Sequence, residues 1–282
     1  MSAWLTDRVG KHADVARMLA TRQFVYVDGR PVDGSDPCLP NTFVWFHREL
    51  REEPEVPGEL LILHRDERIV VVDKPPFLST IPRGNHVRQS VVVRLRDELG
   101  LPELSPVHRL DRVTSGVLML TTERRWRSAY QTMFEHREVR KTYRALAPWR
   151  AELEQPTTVR NHIRKQRGVW QAEVVAEAEP NAETLVEMES RHEGLAVYRL
   201  SPHTGQTHQL RLHLCGLGAP IVGDPLYPEV LDVSIDDFTQ PLQLLASDLH
   251  FTDPVDGTAR HLASTRTLPI PADLLSNGPR SR

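Results

Sequence analysis

The sequence predicts an α+β protein in which strands and helices are mixed without a regular order. Its 282 residues are 39% hydrophobic and 26% charged, a composition typical of a globular chain with a sizeable core. Short runs of strand-forming residues, such as residues 69–73, lie among stretches with helical spacing, such as residues 126–134. Because these segments do not follow a strict βαβ alternation, we expect an α+β fold rather than a doubly wound parallel sheet.

The first 57 residues are predicted to form a separate segment. Residues 15–23 (VARMLATRQ) have helical character, and residues 25–32 (VYVDGRPV) indicate a strand that meets an Asp-Gly turn. A charged stretch with two prolines, REEPEVPGE at residues 51–59, is the best linker candidate. We therefore expect an N-terminal extension over residues 1–57, a main domain over 58–270 and a loose polar tail over 271–282.

The main domain alternates between strand and helix signals. Strands are predicted at residues 60–63, 69–73, 117–121, 142–147, 169–176, 184–188, 195–200 and 244–251, and helices at 87–99 and 126–134. Residues 210–217 fit a helix through Leu210, Leu214 and Leu217, but the local alternation also fits a strand. We favour the helix, because Gly216 and Gly218 provide an end for it.

The cysteine count and the apolar patterning bear on the compartment. Only Cys38 and Cys215 are present, so neither a disulfide framework nor a four-cysteine zinc site can be built. The first residues carry charges where a signal peptide needs an apolar stretch, and no apolar run approaches the roughly 20 residues of a membrane-spanning helix. We expect a soluble, monomeric protein of the reducing cytoplasm that does not bind a membrane.

Charge is unevenly distributed along the chain. The net charge is −3, which excludes a uniformly basic nucleic-acid binder, yet residues 108–150 contain ten basic and four acidic residues. This basic stretch is either a contact surface for a polyanion or a solvated helix face.

Two polar stretches are candidates for chemistry. HRLDRVTSG (residues 108–116) precedes an apolar strand, and HTGQTHQLR (residues 203–211) opens the predicted helix. The first fits either a catalytic loop or a hydrogen-bonded turn, and a hydrolase triad of His108, Asp111 and Ser115 lacks the Gly-x-Ser-x-Gly elbow. Four histidines lie in or near the second stretch, but no known ligand spacing supports a metal site.

Three stretches in this order, HRLDRVTSG, RKTYRALA and HTGQTHQLRLH, resemble the signature stretches of the RluA-type pseudouridine synthases. The resemblance extends to DKPPFLST, GAPIVGDPLYP and LLASDLHFTDPVDG, and covers roughly residues 59 to 264. It implies the pseudouridine synthase fold, a mixed and largely antiparallel central sheet crossed by a catalytic cleft. It also implies isomerisation of uridine to pseudouridine in ribosomal or transfer RNA, without cofactor or metal.

The resemblance also assigns residues. Asp111 matches the catalytic aspartate, Arg211 its arginine partner, and Tyr143 the tyrosine that packs on the target base. The residues expected to contact RNA are Arg109, His108, Thr114, Arg140, Lys141, His208 and Gln209. RNA contact is a candidate role for residues 1–57 as well. The alternative function is a catalytically silent RNA-binding or assembly protein with the same fold.

Overall fold

The computed structural model describes residues 1–10, 13–46, 52–84 and 86–268. The chain divides into two compact units, Met1–Glu52 and Glu53–Arg282. The tail expected at residues 271–282 lies outside the described residues. In the described part of the chain, no helix has the length and apolar character needed to cross a bilayer.

The described residues of the first unit form two helices and a two-stranded sheet. These elements are α1 (Ser2–Val9), α2 (Val15–Ala20), β1 (Phe24–Tyr26) and β2 (Val44–Phe46). The Asp14 carboxylate caps α2 by accepting the Arg17 amide at 3.0 Å. α2 confirms the helix predicted in residues 15–23. Gly29 has φ +82° in the turn after β1, which confirms the predicted Asp-Gly turn. The sequence patterns did not predict α1 or β2.

The second unit is built on one sheet, which has 11 strands among the described residues. The strands are β3 (Leu61–Arg65), β4 (Ile69–Lys74), β5 (Ser105–Pro106), β6 (Ser115–Thr121), β7 (Arg140–Pro148), β8 (Thr157–Arg164), β9 (Glu173–Val175), β10 (Ala182–His192), β11 (Leu195–Pro202), β12 (Leu244–Thr252) and β13 (Ala259–Ala263). The main path runs β3-β4-β6-β12-β7-β11-β10-β8-β9, with β5 paired to β6 and β13 paired to β12. Within the described strands, only β6 and β12 pair in parallel. The mixed, largely antiparallel sheet confirms the predicted α+β class.

In the part of the second unit that the structure describes, three helices pack on this sheet. They are α3 (Val91–Leu99), α4 (Arg124–Glu135) and α5 (Gln209–Gly216), and a 3-10 turn lies at Ala151–Leu153. α3 buries Val91 and Leu95 and ends at Gly100, whose φ of +65° is the left-handed conformation that glycine adopts without strain. α4 buries Tyr130 and Met133 in the core. The helical interpretation of residues 210–217 is confirmed.

The sheet register places distant segments side by side. Gly116 on β6 pairs with Lys74 on β4 and with Ala246 on β12. Ala246 in turn pairs with Tyr143 on β7, which pairs with Leu200 on β11. These five residues are therefore aligned across five neighbouring strands. Tyr143 lies two strands away from Gly116, the end of the 108–116 segment.

Some strand predictions differ from the structure. The strand expected at residues 169–176 is confined to Glu173–Val175, and β8 and β13 were not predicted at all. β8 and β13 carry charged and polar side chains, and they form because neighbouring strands satisfy their backbone groups.

The division into units falls between Glu52 and Glu53, whereas the sequence suggested a boundary after Pro57. The Glu53 carboxylate accepts hydrogen bonds from the amides of Val87, Arg88 and Gln89, at 2.8 to 3.0 Å. These bonds, which lie within the second unit, fasten the first part of the 51–59 stretch to residues 87–89. The roles expected for the segments stay predictions.

Candidate active site

Asp111 lies in a turn between β5 and β6, and buried side chains hold this turn in place. Lys74 is fully buried, and its Nζ donates to the Arg112 carbonyl at 3.1 Å and to two carbonyls in its own segment. These three acceptors use all three donors of the ammonium. Burial lowers the pKa of Lys74, and the negative charge of Asp111 acts in the opposite direction. Thr80 Oγ1 donates to the Leu110 carbonyl at 2.8 Å and accepts the Leu110 amide. The turn is therefore anchored on both sides of Asp111.

His108 and Thr114 stabilise the same turn. His108 Nε2 accepts the Met119 amide at 3.2 Å, and its ring stacks on Phe134 at 4.7 Å. Burial, helped by the charge of Lys141, lowers the pKa of His108 to about 3, so the imidazole is neutral. Thr114 is buried, and its amide donates to the Asp111 carbonyl at 3.0 Å. Both residues were expected to contact RNA, but these contacts make them part of the support of the loop.

Gly116 allows the loop to approach β12 closely. Its φ is +108°, and a Cβ at this position would lie 2.1 Å from the carbonyl oxygen of Ala246. Any side chain would push β6 away from β12. The glycine of the TSG string is thus required by the sheet that positions Asp111.

Arg211 lies on the first turn of α5, where its side chain is 2% exposed. Its Nε and Nη2 donate to the two oxygens of Asp224, at 2.8 and 2.5 Å. Asp224 is also buried and accepts the amides of Leu226 and Tyr227, at 2.8 and 3.1 Å. Although burial acts in the opposite direction, these hydrogen bonds and charges raise the pKa of Arg211. Two sides of the guanidinium are therefore fixed, and Nη1 is left for a second partner.

That second partner is Asp111. Arg211 Nη1 lies 3.5 Å from Asp111 Oδ2, and the Asp111 side chain is 35% exposed. The carboxylate thus faces a rigid cation on one side and an opening to solvent on the other. This arrangement can hold an ionised carboxylate against an incoming substrate.

Tyr143 projects from β7 beside the same carboxylate. Burial, together with the negative charge of Asp111, raises its pKa, so the hydroxyl stays protonated at neutral pH. The ring packs against the main core, and among the described residues the hydroxyl has no hydrogen-bond partner. A neutral donor on a flat aromatic ring suits contact with a nucleobase.

His208 occupies the position just before α5 and also faces Asp111. Its Nε2 lies 3.9 Å from Asp111 Oδ2, and its Nδ1 lies 2.9 Å from the Tyr227 hydroxyl. Tyr227 is held in turn by the Ala172 amide, which donates to its hydroxyl at 2.7 Å. Burial lowers the pKa of His208, although Asp111 acts in the opposite direction. His208 therefore links the carboxylate to the segment around Ala172.

Gln209 is buried and hydrogen-bonded entirely within the protein. Its Oε1 accepts from Thr204 Oγ1 and the Gln206 amide, at 2.7 and 3.0 Å. Its Nε2 donates to the Glu183 carbonyl and Thr184 Oγ1, both at 2.9 Å. Because these four bonds use the whole capacity of the side-chain amide, Gln209 holds the start of α5 on β10, and its expected contact with RNA stays a prediction.

The cationic residues predicted to contact RNA differ in their exposure to solvent. Arg109 and Arg140 are exposed, on the Asp111 turn and at the start of β7. Lys141 is partly buried, with Nζ 3.5 Å from the Thr204 carbonyl. Burial, helped by the charge of Arg137, lowers the pKa of Lys141.

Three residues that hold the candidate site in place were not named at the sequence level: Lys74, Asp224 and Tyr227. Each lies in a run that carried the resemblance, DKPPFLST or GAPIVGDPLYP, yet neither run was assigned a site residue. An ionisable residue inside an apolar run was the available signal, because such a residue is buried only with partners.

Comparison with known proteins places this geometry in a family. The sequence profile of the RNA pseudouridylate synthase family matches residues 68–215. The dual-specificity RNA pseudouridine synthase RluA of Yersinia pestis is 32% identical over 218 residues, covering 72% of this chain and 97% of the relative. The protein of the same name from Salmonella typhi is 33% identical over 223 residues, covering 76% and 94%. The solved structure of human RNA pseudouridylate synthase domain containing 1 shares the fold, with a TM-score of 0.61 at 24% identity over 76% of this chain and 86% of that one.

The chain belongs to the RNA pseudouridylate synthase family, a class of RNA-modifying isomerases. It is an enzyme that converts uridine in RNA to pseudouridine. The expected resemblance is confirmed.

Proposed function

We propose that the chain isomerises uridines of ribosomal or transfer RNA with Asp111 as the nucleophile and without a cofactor. The observation that carries the proposal is the Asp111 carboxylate, partly open to solvent and 3.5 Å from an arginine that Asp224 holds in place. A fixed cation orients the carboxylate for nucleophilic attack.

The chemistry balances without any other reactant. An Asp111 oxygen bonds to the ribose C1′ as the C1′–N1 bond breaks, and its electrons remain on the uracil. The uracil turns, C5 bonds to C1′, and the aspartate leaves as a carboxylate. The C5 proton is then lost and N1 is protonated, so the product has the atoms of the substrate. Nothing is oxidised or hydrolysed.

Tyr143 fits this sequence of steps. Its ring is placed to stack on the uracil, and its protonated hydroxyl can donate a hydrogen bond to it. While Asp111 is bonded to the ribose, its negative charge is absent. One of the two causes that raise the pKa of Tyr143 is then removed, which makes the hydroxyl a better donor to the detached, negatively charged uracil in the intermediate than in the free enzyme.

RNA binding is proposed to use the cations around the cleft. A stacked base cannot reach Asp111, so the target nucleotide is extruded at a cost of a few kcal/mol. Arg109, Arg140 and Lys141 are the candidates for phosphate contacts that offset this cost. The Yersinia pestis relative is a dual-specificity RNA pseudouridine synthase by name, which makes both RNA pools worth testing. We further propose that the enzyme acts in the cytoplasm as a monomer.

The test measures tritium release from RNA labelled at C5 of uridine. Unmodified ribosomal and transfer RNA pools are incubated separately with the wild type, Asp111→Asn and Asp232→Asn, the last being an exposed carboxylate outside the cleft. We expect release by the wild type and Asp232→Asn, and none by Asp111→Asn. Full release by Asp111→Asn would remove Asp111 from the mechanism.

The same experiment separates the alternative function. A catalytically silent RNA-binding protein would retain the labelled RNA in a filter-binding assay and release no tritium from either pool. The presence of Asp111, Tyr143 and Arg211 in one cleft favours the enzyme.

A further inference from the structure

A cluster of metal-ligand residues lies where β12 pairs with β13, outside the residues assigned to catalysis. His250 and His261 are direct cross-strand partners in the register of these strands. Asp248 lies two residues before His250 on β12, so its side chain is on the same face of the sheet. The pairing of two strands therefore brings together two imidazoles and one carboxylate.

The three side chains are close enough to share one ion. One ligand atom from each of them lies within 4.8 Å of the others. His261 Nε2 is 3.0 Å from Asp248 Oδ1. The imidazole rings of His250 and His261 stack with centroids 3.8 Å apart and an interplanar angle of 7°. Bonds of 2.0–2.2 Å to a tetrahedral ion place ligand atoms about 3.3 Å apart, so modest side-chain rotation completes the geometry.

The surroundings leave room for an ion and its remaining ligands. A groove of about 420 Å³ beside the cluster is lined in part by Glu138, Arg140, His250 and His261. The Arg260 guanidinium, which also lines this groove, is paired with the carboxylates of Asp66, Asp253 and Asp256.

Two arginines of β7 determine the electrostatic cost of placing a cation at this cluster. Arg140 is the cross-strand neighbour of His250, and the charge of Arg144 acts on Asp248. Arg144 is neutralised by Glu189, 2.9 Å away. Asp248 supplies the negative charge that offsets Arg140 at the cluster.

We propose that Asp248, His250 and His261 bind a divalent transition-metal ion of the zinc class. Two imidazoles with one carboxylate suit Zn²⁺, Co²⁺ or Ni²⁺, whereas Mg²⁺ and Ca²⁺ prefer all-oxygen sites. The ion joins β12 to the short outer strand β13 and acts as a structural clasp. It takes no part in the isomerisation, so the proposal is independent of the catalytic assignment.

The test uses the full chain after removal of metal by a chelator. Co²⁺ is titrated while its visible absorption is followed, and Zn²⁺ is then added in competition. We expect one saturable site that Zn²⁺ displaces, with affinity roughly tenfold or more weaker in each of His250→Gln, His261→Gln and Asp248→Asn. His192→Gln, a histidine elsewhere on the sheet, serves as the control and binds as the wild type.

Stability and activity give two further readouts. At a Zn²⁺ concentration of 100 times Kd, the melting temperature of the wild type is expected to rise by about 5 °C or more. The double variant H250Q/H261Q should show no such rise. Tritium release should be equal with and without Zn²⁺. The proposal is overturned if the wild type shows no saturable Co²⁺ band, or if the double variant binds as tightly as the wild type.

Discussion

At the residue scale, Asp224 acts on the site although it is buried and does not face the opening to solvent. Its two carboxylate oxygens accept hydrogen bonds from two nitrogens of Arg211 and from two backbone amides. The third nitrogen of the guanidinium faces Asp111 as a result. Asp224 is thus a positioning residue, which acts on the reaction through Arg211.

Asp224→Asn is expected to lower kcat for tritium release about 100-fold, because a small displacement of a catalytic group has costs of that order. KM for RNA should change little, because Asp224 is buried away from solvent. The matched control is Asp253→Asn, another buried carboxylate paired with arginines. If both variants lose stability and kcat equally, Asp224 is only a structural residue.

At the element scale, the contact of β6 with β12 depends on Gly116. We expect Gly116→Ala to lower the free energy of unfolding by at least about 2 kcal/mol, because its Cβ would overlap the backbone of Ala246 at positive φ. The control is Gly168→Ala, since Gly168 also has positive φ (+84°) but open space around its Cβ position. Equal losses in urea unfolding of the two variants would show that strain alone, and not the close approach, matters.

A second element, the hairpin of β8 and β9, presents residues suited to RNA. Its turn contains an exposed Trp170, at 72%, and an exposed Arg167. The end of this turn is fastened beside the candidate site, since the amide of Ala172, directly before β9, donates to the hydroxyl of Tyr227, the partner of His208. An aromatic ring and cations next to the cleft can hold the RNA on either side of the target nucleotide.

Trp170→Ala should weaken RNA binding by about 1–3 kcal/mol, the contribution of one stacked base, without changing the melting temperature. Arg167→Ala should instead lessen the salt dependence of binding, reducing the slope of log K against log salt by about 0.7–0.9 for one lost phosphate contact. Both are measured by fluorescence anisotropy at several KCl concentrations. Wild-type affinity in both variants would exclude the hairpin from the RNA interface.

At the scale of the whole molecule, buried histidines link stability to pH. Burial lowers the pKa of His213 to about 4 and, with the charge of Lys141, that of His108 to about 3. The unfolded chain binds these protons near pH 6.5, whereas the native chain does not. Their contribution to stability is therefore present above pH 6.5 and is lost as pH falls toward 4.

The melting temperature should accordingly be lower at pH 5 than at pH 7. His213→Gln keeps a side-chain donor for Asn161, now 3.0 Å from His213 Nε2, and should show a smaller loss. His203→Gln, at an exposed position, is the control and should lose as much as the wild type. A loss in His213→Gln equal to that of the wild type would contradict the assignment.

The sequence by itself determined the parts of the protein that depend on near neighbours. Apolar runs and helical spacing identified β4, β6, α4 and α5, because these patterns are read over a few consecutive residues. The three signature stretches named the family and pointed to Asp111, Tyr143 and Arg211, whose roles await the experiments above.

Only the tertiary structure decided what stands around those residues. The polar strands β8 and β13 exist because their neighbours complete their hydrogen bonds, which no local pattern reveals. The pairing of Arg211 with Asp224, and of His250 with His261, joins segments whose spacing carries no motif. Such contacts are set by sheet register and burial, since a buried charge is stable only where the fold brings it a partner.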